Sequence, residues 1–116
     1  MKRDSIKTEE DVAHFLRDKS QFEREVLLAT FKIPKGKIST YKRIAEKIGR
    51  PRAYRAVGNA LHKNPLAPTV PCHRVVASNG TFSGDEKGAA SRRRRLEKEG
   101  IPIEKGRVVM SEDILF

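Results

Sequence analysis

The chain has 116 residues, a net charge of +10 and a single cysteine. This length allows one small domain with one modest core, and a single cysteine excludes an internal disulfide. No apolar stretch is long enough to span a bilayer, and the first residues lack the apolar segment of a secretory signal. We therefore expect an intracellular protein with no membrane partner, in which the thiol stays reduced.

The positive charge is concentrated in one segment. Between Lys32 and Arg55 there are nine Lys and Arg residues and one acidic residue, whereas the first 31 residues carry six basic and seven acidic groups. A concentrated basic segment attracts a phosphate backbone through counterion release. A lysine-rich surface that is merely solvated is the alternative that charge alone leaves open.

Three helices are predicted in the first half of the chain. The segment FEREVLLATFKIP has apolar residues at helical spacing and is ended by its proline. The segment KGKISTYKRIAEKIGRP predicts a second helix, with Ser39 or Thr40 as N-cap and Gly49 after its last turn. A third helix is predicted from Arg52 to about Lys63. Two short helices joined through GRP are typical of a helix-turn-helix.

The third helix has an apolar and a polar face at 100° per residue. The predicted apolar face consists of Ala53, Ala56, Val57, Ala60 and Leu61. The opposite face carries Arg52, Arg55, Asn59 and His62. Since Arg55 points away from the core, we expect it to contact DNA, with an ordinary exposed arginine as the alternative. Ala56 is small enough to let the helix approach a sugar-phosphate surface.

The second half begins with a proline-rich loop and ends with a hairpin. NPLAPTVPCHRVV predicts a rigid loop leading into a short buried strand, Arg74 to Ala77. AASRRRRLEKEG predicts a helix ending at Gly100, whose arginines either contact phosphate or pair as Arg93 with Glu97 and Arg95 with Glu99. IPIE and GRVVM predict a terminal hairpin. The fold class is therefore α/β: a small, mostly helical, winged-helix-like domain with a helix-turn-helix, short strands and a terminal hairpin.

The only cysteine, Cys72, lies between Pro71 and His73 in VPCHRVV. A thiol is a useful nucleophile as the thiolate, which a nearby cation or imidazole favours. Neighbours on an extended strand point to opposite sides, so direct contact needs a tight turn, and otherwise a water must relay the proton. One cysteine and three histidines show no paired metal-ligand spacing, so we expect no metal. A buried structural cysteine beside a satisfied histidine is the alternative.

A series of motifs runs from about Phe22 to Ile101: STYKRIA, RAVGNAL, NP, PCHRV, SG and EG. In this order it resembles the active-site domain of the O6-alkylguanine-DNA alkyltransferases, also called methylated-DNA-protein-cysteine methyltransferases. The resemblance implies an N-terminal extension at residues 1–21 and an alkyltransferase DNA-binding and active-site domain at residues 22–116. It also implies DNA repair in which Cys72 takes the alkyl group of O6-alkylguanine, or of O4-alkylthymine, once per molecule and without a cofactor.

The same resemblance implies roles for individual residues. Cys72 is the acceptor, with His73 as its base through a water and Glu99 orienting the imidazole. A carboxylate in the last turn of a helix opposes the helix dipole, so Glu99 also suggests a tertiary partner on physical grounds, although Arg95 is one within reach. The expected base contacts are Tyr41 at guanine N3, Ser83, and the backbone around Val70 and Val76, with Asn64 bracing the loop.

Arg55 is expected to occupy the space left by the flipped nucleotide, with approach through the minor groove. The other expected DNA contacts are Thr40, Arg52, Ala56, Asn59 and Arg74. The implied partner is double-stranded DNA containing alkylated guanine, and we expect a monomer. The expected location is the cytoplasm or nucleoid of a prokaryote, or the nucleus of a eukaryote.

The chain departs from the family pattern in three places. The usual N-terminal ribonuclease-H-like domain is not expected, Phe82 stands where many members have tyrosine, and the loop between VV and SG is short. Related alkyltransferase-like proteins are small single domains that bind lesions without repair and commonly carry tryptophan at the cysteine position. Cys72 favours repair, but size and loop keep a lesion sensor as an alternative. A winged-helix transcriptional regulator would leave PCHRVV unexplained.

Overall fold

The structure, a computed structural model, describes residues 5–116. The helices in this part are α1 (Glu9–Phe15), α2 (Gln21–Phe31), α3 (Tyr41–Lys47), α4 (Tyr54–His62) and α5 (Glu86–Lys98). The strands are β1 (Ser39–Thr40), β2 (Val75–Val76), β3 (Ile103–Glu104) and β4 (Arg107–Val108). Single 3-10 turns span Cys72–Arg74 and Glu112–Ile114. The predicted mostly helical α/β fold is confirmed. None of the helices in residues 5–116 is long and apolar enough to cross a membrane.

The helix-turn-helix is formed by α3 and α4. Of the two predicted N-caps of α3, the structure uses Thr40, whose hydroxyl oxygen accepts a hydrogen bond from the Arg43 N–H at 3.0 Å. Gly49 follows α3 with φ +79°, a left-handed conformation that glycine adopts at little cost. The start of α4 lies two residues later than predicted. Residues 50–53 form a turn instead, in which the Ala53 N–H donates to the Arg50 carbonyl at 2.9 Å.

A short parallel ladder joins the helix-turn-helix to the segment that contains the cysteine. Ser39 pairs with Val75, and Thr40 pairs with Val76. The strand was predicted to begin at Arg74, but Cys72–Arg74 is a 3-10 turn in which the Arg74 N–H donates to the Pro71 carbonyl at 2.9 Å. The ladder therefore connects the two residues before α3 to the strand that follows the turn of Cys72.

The predicted terminal hairpin is formed by β3 and β4, which pair antiparallel. The SNG turn packs closely against it, since a Cβ at Gly80 would lie 2.3 Å from the Val108 carbonyl oxygen. Together with a φ of +85°, this contact makes glycine necessary at position 80.

Two apolar clusters form the core. The smaller cluster comprises Ile38, Val76, Leu96, Ile101 and Val108. The larger lies among α1 to α4 and includes Ile6, Val12 and Leu16. Residues 1–21 were predicted to be an N-terminal extension, and Ile6, Val12 and Leu16 of this segment are buried in the main core. Its helix α1 begins with a capping box in which Thr8 and Asp11 satisfy each other's backbone N–H groups.

Candidate active site

Cys72 lies at the edge of a cleft between α3, α4 and α5. Its side chain is partly exposed, and the cleft encloses about 390 Å³. The cleft is lined by Tyr41, Gly58, Leu61, His62, Asn64, Ala67, Cys72, Gly84, Asp85, Gly88, Ser91 and Arg92. The next residue, His73, is only 5% exposed. The turn thus presents the thiol to the cleft while the neighbouring imidazole is buried.

His73 forms a buried pair with Glu99 behind the cleft. Its Nε2 lies 2.9 Å from Glu99 Oε2. Burial lowers the pKa of His73 below its ordinary value of 6.5 and outweighs the opposing effect of the Glu99 carboxylate. Burial raises the pKa of Glu99, but the hydrogen bonds from Arg74 and His73 together outweigh it, and the net pKa lies below 4.5. At neutral pH the imidazole is therefore neutral and the carboxylate is ionised.

These protonation states determine the tautomer of His73. An ionised carboxylate accepts hydrogen bonds only, so Nε2 must carry the proton that it donates to Glu99. The lone pair of the neutral ring is then on Nδ1, which is able to accept a proton. Cys72–Arg74 forms the tight turn that direct contact would need, but among residues 5–116 Cys72 Sγ forms no hydrogen bond with the imidazole.

Arg74 fixes the position of Glu99. Its Nε and Nη2 donate to the two carboxylate oxygens at 2.8 and 3.0 Å, and its Nη1 donates to the Ile33 carbonyl at 2.8 Å. The side chain of Arg74 is 16% exposed. Its assignment as a DNA contact is therefore corrected, because its donors are used inside the protein. The suggested tertiary partner of Glu99 exists, and it is Arg74 with His73 rather than Arg95.

Asn64 links two points of the loop that precedes Cys72. Its Nδ2 donates to the Val70 carbonyl at 2.8 Å, and its Oδ1 accepts from the Leu66 N–H at 2.9 Å. The side chain of Val70 is fully buried. The amide thereby holds the proline-rich segment in a fixed shape next to the thiol.

Tyr41 and Ser83 meet in the cleft. The Tyr41 hydroxyl and the Ser83 hydroxyl lie 2.7 Å apart, and the Tyr41 ring packs beside Gly58 of α4. The side chain of Val76 does not line the cleft, since it is fully buried in the smaller core cluster. Phe82 also packs against that cluster, with the Arg93 guanidinium 5.8 Å from its ring centre. The backbone of Val76 is thus the only part left for a base contact.

The exposed surface of α4 and of the turn before it agrees only partly with the predicted faces. Arg52, Arg55 and Asn59 are exposed as predicted, although Arg52 lies in the turn before the helix. Ala56 was predicted both in the core face and near DNA, and it is exposed. The predicted DNA contact of Thr40 is corrected, since its side chain is buried and caps α3.

Arg92 is a cleft residue that the sequence analysis missed. Its guanidinium donates to the Ser83 carbonyl and, at 3.2 Å, to the Gly88 carbonyl. The predicted pairs of the arginine run do not form, and Arg93 binds Glu86 at 2.5 Å instead. The four arginines are adjacent in sequence, and only the helical phase distinguishes the one that reaches the cleft. Asp85 and His62 also line the cleft. Residues 5–116 contain no cluster of side chains suited to a metal ion.

Fold and site together define a helix-turn-helix domain with a partly exposed cysteine in front of a buried histidine–glutamate pair. Residues 21–101 match the family model of the 6-O-methylguanine DNA methyltransferase DNA-binding domain. The chain belongs to this family.

Two methylated-DNA–protein-cysteine methyltransferases illustrate the similarity in sequence. The Methanosarcina barkeri protein is 49% identical over 69 residues, which cover 60% of this chain and 44% of the relative. A Saccharolobus islandicus protein is 46% identical over 82 residues, which cover 71% of this chain and 52% of the relative. The chain thus spans about half the length of the curated relatives it matches.

Solved structures of both repair and lesion-binding proteins share the fold. Mycobacterium tuberculosis O6-methylguanine methyltransferase aligns with a TM-score of 0.66 at 40% identity, over 73% of this chain and 53% of that one. S. pombe Atl1, in complex with damaged DNA containing O6-carboxymethylguanine, aligns with a TM-score of 0.74 at 34% identity. That alignment covers 83% of this chain and 94% of Atl1.

Proposed function

We propose that the protein repairs DNA by transferring the alkyl group of O6-alkylguanine to Cys72. The thiolate sulfur attacks the alkyl carbon in line with the bond to guanine O6. The new S–C bond forms as the C–O6 bond breaks, and its electron pair stays on the guanine, which takes up a proton. The product is a thioether on Cys72, so each molecule acts once. O4-alkylthymine is a further substrate with the same chemistry.

The proton of the thiol passes through a water to Nδ1 of His73. A neutral ring with its proton on Nε2 has the free lone pair that this step needs, and Glu99 stabilises the imidazolium that results. The buried position of the pair keeps its geometry fixed while substrate enters from the other side of Cys72. His73 and Glu99 are therefore proposed as the activating pair.

The target base reaches Cys72 by leaving the helix stack. The cleft volume of about 390 Å³ is within the range of small-molecule sites, and a base cannot enter such a cleft while it stays in the duplex stack. Arg55, exposed on α4, takes the place of the extruded nucleotide, with approach through the minor groove. Arg52, Ala56 and Asn59 contact the backbone nearby.

Base recognition is assigned to the cleft residues. Tyr41 hydrogen-bonds guanine N3, and Ser83 contacts the O6 region together with backbone near Val70 and Val76. Double-stranded DNA carrying an alkylated guanine is the partner, and the protein acts as a monomer where that DNA is: the cytoplasm or nucleoid of a prokaryote, or the nucleus of a eukaryote.

One observation carries this proposal: a partly exposed cysteine on a base-sized cleft, backed by a buried histidine–glutamate pair. Its test is the intact mass of the protein after incubation with a duplex containing O6-methylguanine. We expect a gain of one methylene, located on the peptide that contains Cys72. Cys72→Ala with the same duplex, and wild type with unmodified duplex, are the controls and should show no gain.

A lesion sensor is the second candidate. It is favoured by the alignment with S. pombe Atl1, which covers 94% of a protein that was solved with damaged DNA. The same experiment separates the two functions, because tight binding of the lesion duplex without a mass gain would support the sensor and contradict repair.

A further inference from the structure

Tyr54 is a large aromatic side chain left in water at the start of α4. It is 47% exposed, and Val109, at 38%, is the only other large hydrophobic residue in the described part with comparable exposure. Burial of an aromatic side chain stabilises a folded protein, and this position forgoes part of that stabilisation. Within residues 5–116 the phenol forms no hydrogen bond, and no cation packs on its ring.

The surroundings of Tyr54 are basic and small. Arg52 and Arg55 are exposed on either side of it, and a shallow depression beside it is lined by Arg50, Pro51, Arg52 and Ala53. No acidic residue occurs between Glu46 and Asp85. The surface therefore attracts a polyanion.

The neighbouring side chains on α4 are too short to cover the ring. Ala53 precedes it at the N-cap, and Ala56 is exposed two residues later. Such a surface lets another molecule approach the helix backbone closely, so the ring is the part that meets it first.

We infer that Tyr54 stacks on a base beside the extruded nucleotide, as a second inserted side chain next to Arg55. A nucleobase face is the chemical partner that suits a neutral ring on a basic surface, because every base presents a π-face whereas phosphate binds to cations. This inference rests on the proposed function, in which α4 faces the damaged duplex. Tyr54 is a positioning residue, since it holds the duplex open and does not touch the reacting atoms.

The test compares Tyr54→Ala with Tyr54→Phe in duplex binding over a range of salt concentrations. All proteins carry Cys72→Ala, so that binding to an O6-methylguanine duplex stays at equilibrium. Stacking is worth about 1–3 kcal/mol per base, so Tyr54→Ala should weaken binding about 5- to 150-fold, whereas Tyr54→Phe should bind like the parent. The slope of log K against log salt should be unchanged, because a neutral ring releases no counterions.

Arg52→Ala is the matched contrast, since its loss should reduce that slope by about one. A 2-aminopurine placed next to the lesion reports stacking directly: its fluorescence should be quenched by the parent and by Tyr54→Phe, and less by Tyr54→Ala. Unchanged affinity and quenching in Tyr54→Ala would overturn the inference. So would an equal loss in both variants, because that would make the hydroxyl group the contact.

Tyr54→Ala with Cys72 restored should react with free O6-benzylguanine at the wild-type rate. An unchanged rate would show that the cleft is intact. Failure of this inference is distinguishable from failure of the proposed function. If wild type gains no methylene but Tyr54→Ala still loses affinity, repair is wrong and the stacking contact stands. If wild type gains the methylene and Tyr54→Ala binds with normal affinity, repair stands and the stacking contact is wrong.

Discussion

Arg74 acts on the site from inside the protein. Its guanidinium occupies both oxygens of Glu99 in a bidentate pair, the geometry in which arginine holds a carboxylate most firmly. One of those oxygens also accepts from His73 at 2.9 Å. The orientation of the imidazole therefore depends on a residue that touches neither the thiol nor the cleft.

The rate of reaction with free O6-benzylguanine tests His73 and Glu99 without a contribution from DNA binding. His73→Phe should lower the rate at neutral pH by about 100-fold or more, the usual contribution of a general base. Glu99→Gln should give a smaller loss, because the amide still orients the ring but does not stabilise imidazolium. Since the two residues act as a unit, the double variant should be little slower than His73→Phe.

The pH profile of the same reaction has an expected shape. A base works only while neutral, and burial lowers the pKa of His73, so the wild-type rate should lose the contribution of His73 only below pH 6.5. Glu99 opposes that lowering, so in Glu99→Gln the protonation step should move to still lower pH. Superimposable profiles of wild type and His73→Phe would exclude the relay and leave both residues structural.

At the residue scale the resemblance predicted the pairing of His73 with Glu99 but not the contacts of Arg74 and Arg92. Cys72, His73 and Glu99 were named together because the resemblance carries them as a set. Arg74 was assigned to DNA, whereas its partner in the structure is Glu99, 25 residues away, a pairing that the resemblance did not include. Arg92 was missed because its neighbours in the run have the same chemistry.

The helix α4 combines burial on one side with exposed basic and polar groups on the other. Val57, Ala60 and Leu61 are buried in the contact with the rest of the domain, while Arg55 and Asn59 are exposed. This arrangement leaves Arg55 free for a role outside the protein.

Arg55→Ala should slow alkyl transfer from duplex DNA much more than from single-stranded DNA or free base. Extrusion from a duplex costs a few kcal/mol, so we expect a loss of at least about tenfold on duplex and little change on the other two substrates. Single-turnover rates on the three substrates give the comparison, with Arg52→Ala as a control of equal charge. Equal slowing on all three would show that Arg55 has no part in extrusion.

Elements defined by local signals were predictable and those defined by distant contacts were not. The N-cap of α3 and the glycine after it depend on residues within one turn, so the sequence predicted Gly49 and reduced the cap to Ser39 or Thr40. The extended reading of Arg74 to Ala77 was partly wrong, because the segment after Pro71 closes into a turn before the strand begins at Val75. Alternation along a strand does not reveal where the strand starts.

The N-terminal segment contributes part of the main core of the domain. Ile6, Val12 and Leu16 are buried in the main cluster with residues of α2 to α4. This segment was predicted to be an N-terminal extension because the family motifs begin after it. Its three buried apolar residues are scattered among charged ones. The sequence pattern therefore does not indicate that they are buried, and only the packing in the structure shows it.

Leu16→Ala should lower the free energy of unfolding by about 2–5 kcal/mol, the usual loss for a fully buried leucine. Lys19→Ala, at an exposed position three residues later, should change it by less than about 0.5 kcal/mol. Urea unfolding of both variants measures the difference. If Leu16→Ala were as stable as Lys19→Ala, the segment would not belong to the cooperative domain.

The two-residue ladder between β1 and β2 affects the order in which parts of the molecule fold. Its pairs, Ser39 with Val75 and Thr40 with Val76, close a long loop of chain, and such closure is slow because entropy is lost before contacts compensate. Helices α3 and α4 are close in sequence and need no such closure. The cysteine turn lies next to β2, so we expect the geometry around Cys72 to be completed late in folding, when the ladder forms.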